Sequence, residues 1–481
     1  MNYSDLIRLA APEIVLVVTA LLVLALGLAN SRASTLCSGV AAAGLLFASA
    51  AIMMLPAQAS LFNGMLVITP LVSVFKVICV ALAFFTVILA AQLKSPHHGE
   101  YLALLLLATV GLMLLVGSEE LLVIFIGLEL TGLSLYVMAA FDKTDARSAE
   151  AGLKYFLFGS TASAFTLFGI SLVYGMTGAT NLAAIAPKVT AMSPLLAAGL
   201  VMTLIGFAFK IAAAPFHLWA PDTYQGAPAS SAAFIASASK VASFVVLGKI
   251  VLVGFGPAQG SAGWHAMTAG WAPLLAVLAA LSILIGNLAA LAQTNVRRLL
   301  AYSAVAHAGY TLLGLVVGGR DGFSATLFYT TIYAFTLVGA FGVVALVRAE
   351  SGGDDFTHFA GLRSRSPWLA GCMAVFMLSL AGIPPLAGFF GKFYLFSAAL
   401  GAGRNFGLLW LVALALLGSL ISFYYYLMVL KVIFVDSSAS RGPVLRVDLL
   451  QQAAIGLLAC LVLFLGLFPG GLVWKITSSL P

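Results

Sequence analysis

Long apolar runs separated by short polar stretches occupy most of this 481-residue chain. A helix needs roughly 20 predominantly apolar residues to cross a bilayer, and fourteen segments have about that length or more. Only 8% of the residues are charged, against about a quarter in soluble proteins. The runs are continuously apolar rather than alternating, so we predict an all-α polytopic membrane protein with about 14 transmembrane helices and no β-barrel. The fourteen segments are residues 11–29, 34–55, 69–93, 100–116, 120–141, 149–174, 194–216, 229–254, 271–292, 299–318, 323–348, 367–400, 405–432 and 450–474.

Lysine and arginine are distributed unevenly between the two sets of alternate loops. Cytoplasmic loops carry more basic residues than loops on the other side. One set holds twelve basic residues and the other five, so the first set is expected in the cytoplasm and both termini outside. The net charge of +7 then reflects membrane orientation rather than nucleic-acid binding. The first set is Arg32, Lys94, Lys143, Arg147, Arg297, Arg298, Arg348, Arg363, Arg365, Lys431, Arg441 and Arg446, and the second is Arg8, Lys188, Arg320, Arg404 and Lys475.

Two of the fourteen segments are interrupted by proline. Segment 12 (367–400) would be roughly 50 Å long as one helix, against a hydrocarbon core of about 30 Å, and it contains the sequence GIPP at 382–385. In segment 7 (194–216), Lys210 is followed by Pro215. Proline removes a backbone donor and clashes with the preceding turn, so each segment is predicted to form two half-helices. Paired broken helices indicate inverted repeats, which we place in segments 4–8 and 9–13.

Short connections and the absence of a low-complexity stretch predict a single membrane domain over residues 1–481. Its predicted parts follow from the segments and the repeats. They are the N-terminal helices (1–93), the first repeat (100–254), the second repeat (271–432) and a C-terminal helix (450–474).

Four ionisable residues inside apolar segments are the main functional candidates: Glu129, Lys210, Lys240 and Lys392. A charge at the bilayer centre costs roughly 2.5 kcal/mol or more, so such residues mark ion or proton paths. A buried lysine, unlike an arginine, can give up its proton and take it back. At about 6 Å and an effective dielectric near 20, Glu129 and Lys210 would attract each other by about 3 kcal/mol. Moving one charge across about 150–200 mV costs roughly 3.5–4.6 kcal/mol, so making and breaking this pair is able to gate proton release.

The alternative for Glu129 is a structural buried ion pair, and the alternative for Lys210 is a lysine that reaches outward to the interface. Lys240 lies among three serines, whose small side chains leave room for water, and it is predicted to pass protons between the two repeats. Lys392 follows the break of segment 12 by about seven residues, roughly 10 Å of helix. It is predicted to be the counterpart of Lys210 and the exit-side group.

Three further residues are supporting candidates. Lys154, at the start of segment 6, either joins the glutamate network or caps the cytoplasmic end of its helix. His217 and His307 either bridge water chains, since histidine titrates near neutrality, or are satisfied core residues. Two more lysines in apolar segments, Lys76 and Lys249, are predicted to be structural or to reach outward. The acidic pair at 119–120 is predicted to mark an exposed turn.

Neither a metal site nor a cofactor site is predicted in this chain. The four cysteines are far apart, and no CxxC or Cys/His spacing indicates an iron–sulfur cluster or a zinc site. The glycine-containing stretch GFGPAQG near residue 254 lacks the spacing of a phosphate-binding loop and any preceding strand, so binding of NADH or flavin is not expected here.

Three stretches resemble those of a known family: FKIAAAPFHLWAPDTYQGAPA, NVRRLLAYSAVAHAGY and LAGIPPLAGFFGKFYLFSAAL. They are similar to the antiporter-like membrane subunits of respiratory complex I, the proton-translocating NADH:quinone oxidoreductase of bacteria. The resemblance covers nearly the whole chain. The run LKYFLFGSTASAFTLFGISLVYGMTG and the lysine at 392, where a sister subunit carries glutamate, favour one particular member of that family.

The resemblance implies roles for the same residues. A glutamate on the fifth helix and a lysine on the broken seventh form a coupled pair in the family, which matches Glu129 and Lys210. A lysine on the eighth helix matches Lys240, and the ionisable residue on the broken twelfth matches Lys392. Polar positions of the family also match two of the supporting candidates, Lys154 and His217.

The resemblance further implies where the redox chemistry lies and which partners surround the chain. NADH, flavin, iron–sulfur clusters and quinone reduction are expected in other subunits, and the partners are the other membrane and peripheral subunits together with membrane lipid. The expected location is the bacterial inner membrane, with both termini periplasmic. The leading hypothesis is a proton-translocating subunit; the alternatives are a stand-alone or Mrp-type cation/proton antiporter and a purely structural assembly subunit.

Overall fold

Helices make up nearly all of the regular structure that a computed structural model describes for this chain. The described residues are 3–30, 33–91, 93, 95–189, 193–402, 407–436 and 448–480. Five basic residues of the predicted loops lie outside these ranges: Arg32, Lys94, Arg404, Arg441 and Arg446. One antiparallel hairpin joins β1 (Ala59–Leu61) to β2 (Leu66–Ile68).

The α-helices connect in chain order with short turns between most of them. They are α1 (Tyr3–Leu9), α2 (Ala11–Ala29), α3 (Ser34–Met53), α4 (Pro70–Ala90), α5 (His98–Val116), α6 (Leu121–Ala139), α7 (Ala146–Thr177), α8 (Leu182–Ile185), α9 (Pro194–Lys210), α10 (Trp219–Gly226), α11 (Ala229–Ala236), α12 (Ala238–Lys249), α13 (Trp271–Leu291), α14 (Val296–Val317), α15 (Gly319–Ser351), α16 (Phe356–Phe359), α17 (Leu362–Arg365), α18 (Pro367–Ala381), α19 (Ala387–Gly401), α20 (Leu409–Phe434), α21 (Leu449–Leu467) and α22 (Gly470–Ser479). Short 3₁₀ helices are Phe62–Gly64, Ala186–Lys188 and Gly256–Ala258, and Ile250–Gly254 is a π-helix.

Twelve membrane-spanning candidates, each long and apolar enough to cross a bilayer, are found among the described residues. Lipid offers no hydrogen-bond partners to backbone amides and carbonyls, whereas a helix pairs these groups with one another. Continuous apolar runs in a membrane therefore fold as helices. The predicted segment 12 is divided into α18 and α19, whereas segment 7 contains α9 and an unwound stretch, and α10 begins beyond its predicted end at 216. The all-α, multi-pass architecture is therefore confirmed, and the total of fourteen spans stays a prediction.

Both predicted breaks are present. The helix α9 ends at Lys210, Ala212 adopts a left-handed conformation with φ 57°, and α10 begins only at Trp219. The helix α18 is followed by Gly382, which is left-handed at φ 86°, and then by the proline pair before α19. A left-handed residue ends the run of helical hydrogen bonds, and the following proline cannot resume it.

A third break, in segment 8, departs from the prediction of a continuous helix over 229–254. The helices α11 and α12 meet at Ser237, whose φ of −114° and ψ of −82° are not helical. The Ser237 hydroxyl donates a hydrogen bond to the Ala233 carbonyl at 2.6 Å. Neither proline nor glycine occupies this position, which is why the sequence pattern predicts an uninterrupted helix there.

Two local predictions are wrong. The segment 450–474 is not one helix, because α21 ends at Leu467 and α22 begins at Gly470. The pair Glu119-Glu120 does not form an exposed turn. Glu120 is buried and caps α6, where its carboxylate accepts a hydrogen bond from the Val123 amide at 2.8 Å. A carboxylate is well suited to this place, because the first amides of a helix have no partner within the helix.

The two predicted repeats share a pattern of backbone contacts. Glu120, just before α6, forms an isolated antiparallel bridge with Asn181, which follows α7. Asn295, just before α14, forms the same bridge with Asp355, which follows α15. The helices α7 and α15 are unusually long, with 32 and 33 residues, and each is followed by a broken helix. These correspondences support the predicted inverted repeats.

Successive loops of a membrane protein lie on alternate sides of the bilayer. The loops of the set that is richer in lysine and arginine meet at one end of the helix bundle. We call this the inner end. There Arg348 lies 3.5 Å from Asp145, and the Arg298 guanidinium donates to the Asp222 carboxylate at 2.6 Å. Both described chain ends lie at the opposite, outer end, where Arg320 donates to the Thr477 carbonyl in α22 at 2.8 Å. The geometry therefore agrees with the counted alternation of loops.

A buried ion pair between Arg297 and Asp354 ties the inner end together. Arg297 is 1% exposed and Asp354 is 4% exposed, and the Asn295 amide donates to the same carboxylate at 3.1 Å. Asp354→Ala would leave a buried guanidinium without its counter-charge, which costs about 3–5 kcal/mol. We expect a clear fall in the thermal unfolding midpoint of the purified protein. Arg363→Ala, at an exposed arginine of the same end, is the control and should leave the midpoint within a degree or two; equal midpoints for both variants would contradict the assignment.

Candidate functional site

Glu129 and Lys210 lie around one small cavity. Glu129 is the ninth of nineteen residues in α6 and is partly exposed at the surface of the helix bundle. It accepts a short hydrogen bond from the Ser163 hydroxyl of α7. Lys210 is the last residue of α9. The cavity between them measures about 10 Å³, room for roughly one water molecule. No ion pair within 4 Å joins the two in the described structure, so acid and amine share a cavity rather than touch.

The Lys210 amine is surrounded by aromatic rings. It is 6% exposed, and its Nζ has no hydrogen-bond partner among the described residues. The ring centroids of Tyr136, Tyr155 and Phe209 lie 5.3, 5.8 and 5.9 Å from Nζ. Ring faces attract an ammonium group electrostatically, but they do not replace the three hydrogen bonds that it can donate. The site therefore holds an amine that exchanges partners easily.

Lys240 lies one turn after the unpredicted break, as the third residue of α12. It is 1% exposed, and its Nζ donates a hydrogen bond to the Ala304 carbonyl of α14 at 2.8 Å. The Tyr333 ring of α15 lies 5.7 Å from the same nitrogen. The break at Ser237 thus places this amine between α14 and α15, in the second repeat.

Lys392 is hydrogen-bonded to the backbone at the break of segment 12. Its Nζ donates to the Ala381 carbonyl at 3.0 Å and to the Ser419 hydroxyl at 2.8 Å, and the Tyr310 ring lies 5.3 Å away. Ala381 is the last residue of α18, so its carbonyl is one of those that a helix end leaves without a partner in the helix. The break therefore supplies an acceptor for the buried amine. We refer to Lys210, Lys240 and Lys392 together as the lysine row.

His307 lies between the second and third members of the lysine row. Its Nδ1 is 2.6 Å from the Tyr329 hydroxyl and its Nε2 is 3.0 Å from the Tyr426 hydroxyl. The imidazole also packs against the Tyr333 ring, which lies 5.7 Å from the Lys240 amine. It packs likewise against the Tyr310 ring, which lies 5.3 Å from the Lys392 amine. His307 is therefore a hydrogen-bonded core residue, as the second of its two predicted descriptions has it, and its bridging of water chains stays a prediction.

A polar network extends from His307 through the second repeat. The Tyr426 hydroxyl also makes a short hydrogen bond with the Ser303 hydroxyl. The amide of Asn287 donates to the Tyr310 hydroxyl at 2.9 Å, and the Tyr425 hydroxyl donates to the Asn287 carbonyl oxygen at 3.1 Å. Hydroxyls that both donate and accept can pass protons along a chain, so this network links the surroundings of Lys240 and Lys392.

Lys154 and His217 are not joined to the lysine row by a described contact. The Lys154 amine lies 2.6 Å from both Asp222 and Glu150, and its side chain is 37% exposed. It belongs to the charged inner end, where its partners are carboxylates of α7 and α10, and it does not cap α7, whose N-cap is Asp145. The His217 ring, in the break after α9, lies 6.5 Å from the ring of Tyr302.

The two remaining buried lysines are structural. Lys76 is completely buried and forms an ion pair with Glu13 at 2.6 Å. The Lys249 amine donates to the Val116 carbonyl at 2.9 Å and lies 3.8 Å from Glu119. Both amines are held near the outer end by local partners, which is the structural one of the two predicted alternatives.

Potential metal ligands do not cluster in the described ranges, where no group of three or more His, Cys, Asp or Glu side chains is arranged to hold an ion. The four cysteines are unpaired; Cys37, Cys79 and Cys372 are buried, and Cys460 is exposed.

Several tyrosines belong to the site, although the sequence analysis did not select them. Tyr136 lies seven residues after Glu129, two turns along the same face of α6, and Tyr310 lies three residues after His307. Helical spacing from the charged residues was therefore an available signal. The others are Tyr155, Tyr329, Tyr333, Tyr425 and Tyr426.

Comparison with known proteins gives consistent matches over the whole chain. The sequence profile of the family described as "NADH:quinone oxidoreductase/Mrp antiporter, TM" matches residues 118–422. The chain is 46% identical to NADH-quinone oxidoreductase subunit N 2 of Acidobacterium capsulatum, over 98% of each protein. The resemblance predicted from the sequence motifs is confirmed by these matches.

Solved structures share the fold. A chain of respiratory complex I from Thermus thermophilus is similar with a TM-score of 0.81 at 33% identity, over 96% of this chain and 98% of that one. A chain of the Mrp complex from Dietzia sp. is similar with a TM-score of 0.86 at 20% identity, over 98% and 96%. At 20% identity, the likeness to the Mrp chain shows the fold alone. The complex I chain and the Mrp chain therefore differ in their sequence identity to this chain rather than in their structural similarity to it.

The unpartnered Lys210 amine predicts a stability effect. Methionine has a similar length and shape but no charge to desolvate, so Lys210→Met removes a buried polar group that lacks a hydrogen-bond acceptor. Functional residues are often kept at such a cost in stability. We expect Lys210→Met to stabilise the purified protein by about 1 kcal/mol or more, seen as a higher thermal unfolding midpoint. Lys154→Met, at the partly exposed lysine of the inner end, is the matched control and should not raise it; a lower midpoint for Lys210→Met would contradict the prediction.

Proposed function

The chain belongs to the NADH:quinone oxidoreductase/Mrp antiporter family of membrane proteins, and we propose that it translocates protons as a membrane subunit of respiratory complex I. One observation carries the proposal: all three members of the lysine row are buried, and each lies at or within about two turns of a helix break. Buried lysines placed in this way are costly and rare unless they carry ions or protons.

Glu129 and Lys210 form the proposed gate. The carboxylate, held by Ser163, stabilises a proton on the Lys210 amine across their shared cavity. Weakening this attraction frees the proton to move on toward Lys240. An attraction of about 3 kcal/mol at an effective dielectric near 20 is comparable with the work of moving a charge against a membrane potential.

Lys240 and Lys392 hold protons without a carboxylate beside them. Each ammonium group donates to a backbone carbonyl, that of Ala304 for Lys240 and that of Ala381 for Lys392. His307 and its tyrosine partners connect the two amines. Because two charged amines in an apolar bundle repel each other, a proton that arrives at one favours release from the other.

The complex I assignment is favoured over a stand-alone or Mrp-type antiporter by sequence identity. The relative named as an NADH-quinone oxidoreductase subunit shares 46% of its residues with this chain, whereas the Mrp chain shares 20%. We further propose that NADH, flavin, iron–sulfur clusters and quinone are bound by partner subunits and that this chain has no redox centre of its own.

The proposed partners and location follow from the same assignment. Other membrane and peripheral subunits of complex I, together with lipid, would cover the outer apolar faces, such as that of α7, where Phe156, Phe165 and Phe168 are exposed. Nucleic acid is not a proposed partner. The proposed location is the bacterial inner membrane, with the inner end in the cytoplasm and both termini in the periplasm, which the bias of basic loops supports.

The proposed gate predicts the effect of removing either of its members. In membrane vesicles that contain the assembled complex, Lys210→Ala and Glu129→Ala should lower NADH-driven proton pumping roughly tenfold or more, equivalent to at least about 1.4 kcal/mol in the barrier. The amount of assembled complex should stay the same. Lys475→Ala, at an exposed lysine of α22, is the control and should pump normally.

Two results would count against the proposal. Normal pumping by both gate variants would remove the proposed role of the lysine row. If the purified chain alone, reconstituted in liposomes, exchanged Na⁺ for H⁺ at a rate abolished by Lys210→Ala, the antiporter alternative would take its place.

The proposed orientation has its own test. Alkaline phosphatase is active only in the periplasm, whereas green fluorescent protein fused in the same way fluoresces only in the cytoplasm. With the C-terminus in the periplasm, the phosphatase fused after residue 481 should be active, and the fluorescent fusion should be dark. The opposite pattern would reverse the assignment of the inner and outer ends.

A further inference from the structure

Three buried tyrosine hydroxyls have no hydrogen-bond partner among the described residues: those of Tyr155, Tyr224 and Tyr333. Buried hydroxyls are nearly always hydrogen-bonded, so such exceptions need an explanation. Five other buried tyrosines follow the rule: Tyr101, Tyr310, Tyr329, Tyr425 and Tyr426. The Tyr101 hydroxyl, for example, lies 2.8 Å from the Ser230 hydroxyl and 2.9 Å from that of Ser231.

Two of these three tyrosines have their rings beside members of the lysine row. At one end, the Tyr155 ring is 5.8 Å from the Lys210 amine. At the other end, the Tyr333 ring is 5.7 Å from the Lys240 amine. The Lys210 amine is itself without a hydrogen-bond partner in the described structure, so unpartnered polar atoms continue up to the lysine.

Tyr224 connects the two ends. The rings of Tyr155 and Trp219 are stacked at 4.3 Å, and the Trp219 ring is 6.2 Å from that of Tyr224. Tyr224 also packs against Phe341 of α15, the helix that carries Tyr333, with ring centroids 5.8 Å apart. The series therefore runs from α7 through α10 to α15 and crosses from the first repeat into the second.

The matching place in the second repeat shows what the first repeat lacks. Tyr155 lies 26 residues before the bridge residue Asn181, and Tyr329 lies 26 residues before the bridge residue Asp355, so the two tyrosines occupy matching positions. Gly132 lies twelve residues after the bridge residue Glu120, and His307 lies twelve residues after the bridge residue Asn295. In the second repeat the histidine is hydrogen-bonded to the tyrosine hydroxyl at 2.6 Å. In the first repeat a glycine stands where the imidazole would be, and the Tyr155 hydroxyl has no protein partner.

Water is the ligand that suits such a place. It is small, and it both donates and accepts hydrogen bonds, as the hydroxyls require. A Cβ added at Gly132 would lie 3.1 Å from both the Lys210 amine and the Tyr136 hydroxyl, so the place of the missing imidazole is bordered by polar groups, which even a methyl group would crowd.

We propose that Tyr155, Tyr224 and Tyr333, bridged by water, relay protons from Lys210 to Lys240. The inference rests on the proposed proton translocation and names the route between the repeats. Each hydroxyl oxygen accepts a proton from the Lys210 side and releases its own proton toward Lys240, after which the group rotates back. One proton leaves the Lys210 ammonium group and one arrives at the Lys240 amine, while no electron moves and no phenol stays ionised.

Single Tyr→Phe variants test the relay, because they keep each ring and remove only the hydroxyl. In the assembled complex, Tyr155→Phe, Tyr224→Phe and Tyr333→Phe should each lower the initial rate of NADH-driven proton pumping at least fivefold. The kinetic isotope effect on replacing H₂O with D₂O should rise, since proton transfer becomes more strongly rate-limiting; a loss of packing would not cause that rise. Tyr101→Phe, at a buried tyrosine outside the series, is the matched control and should leave both measurements unchanged.

The variant Gly132→Ala separately tests the proposed water beside the Lys210 amine. It adds one methyl group beside the Lys210 amine and should also slow pumping at least fivefold. An exposed glycine elsewhere, as in Gly470→Ala, provides the control, because a Cβ there has no neighbour within 4 Å.

The outcomes separate this proposal from the proposed function. If Lys210→Ala abolishes pumping while all three Tyr→Phe variants pump at the native rate, the relay is wrong and proton translocation stands. If Lys210→Ala itself pumps normally, the proposed function fails. For a variant that does not assemble, an electron cryo-microscopy map of the native complex decides the question. Ordered waters joining the three hydroxyls are expected there, and a dry apolar contact between the three phenols would overturn the relay.

Discussion

A buried amine is costly unless oxygens accept its hydrogen bonds, and the three lysines of the row lie beside helix interruptions, where such oxygens occur. In an intact helix each carbonyl is already bonded four residues on, so free acceptors occur mainly where a helix is interrupted. Lys392 donates to the carbonyl at the end of α18, and Lys240 lies one turn beyond the break at Ser237. Lys210 stands at the end of α9. All three lysines thus lie beside breaks, and Lys392 takes its acceptor from one, whereas Lys240 donates to the Ala304 carbonyl within α14 and Lys210 has no partner among the described residues.

This coupling explains how much the sequence could predict. The lysines stand out against apolar runs, and proline marks two of the three breaks, so Lys210 and Lys392 could be placed beside them in advance. The break at Ser237 could not be predicted, because serine is compatible with a helix and the interruption depends on the packing of α11 and α12. Likewise, nothing in the sequence shows that Lys240 bonds to Ala304, since that contact joins residues 64 positions apart.

The tyrosines show a different limit. In a membrane protein a tyrosine is typical of the core, of the lipid interface or of a polar path, and its spacing alone does not decide among them. Tyr101 and Tyr224 are both buried, yet the first is hydrogen-bonded to two serines from a distant helix and the second has no described partner. The difference lies in tertiary contacts. Sequence reasoning could find candidate tyrosines from their distance to Glu129 or His307, but it could not tell a satisfied hydroxyl from an unsatisfied one.

The two repeats differ in the group that each presents to a lysine, and in the proposed mechanism this difference gives the proton path a direction. Glu129 lies nine residues after the bridge residue Glu120, and the residue at the same distance from Asn295 is Ala304. The first repeat thus presents a carboxylate to its lysine, whereas the second presents the backbone carbonyl that Lys240 uses. A full negative charge stabilises an ammonium group more than a carbonyl dipole does. In the proposed mechanism, the charge of Glu129 across the shared cavity favours a proton on Lys210, and the proton advances when Glu129 is neutralised or drawn away. Glu129 is partly exposed, so the proposed partner subunits would be able to act on it, and redox chemistry elsewhere in the complex would reach this chain in that way.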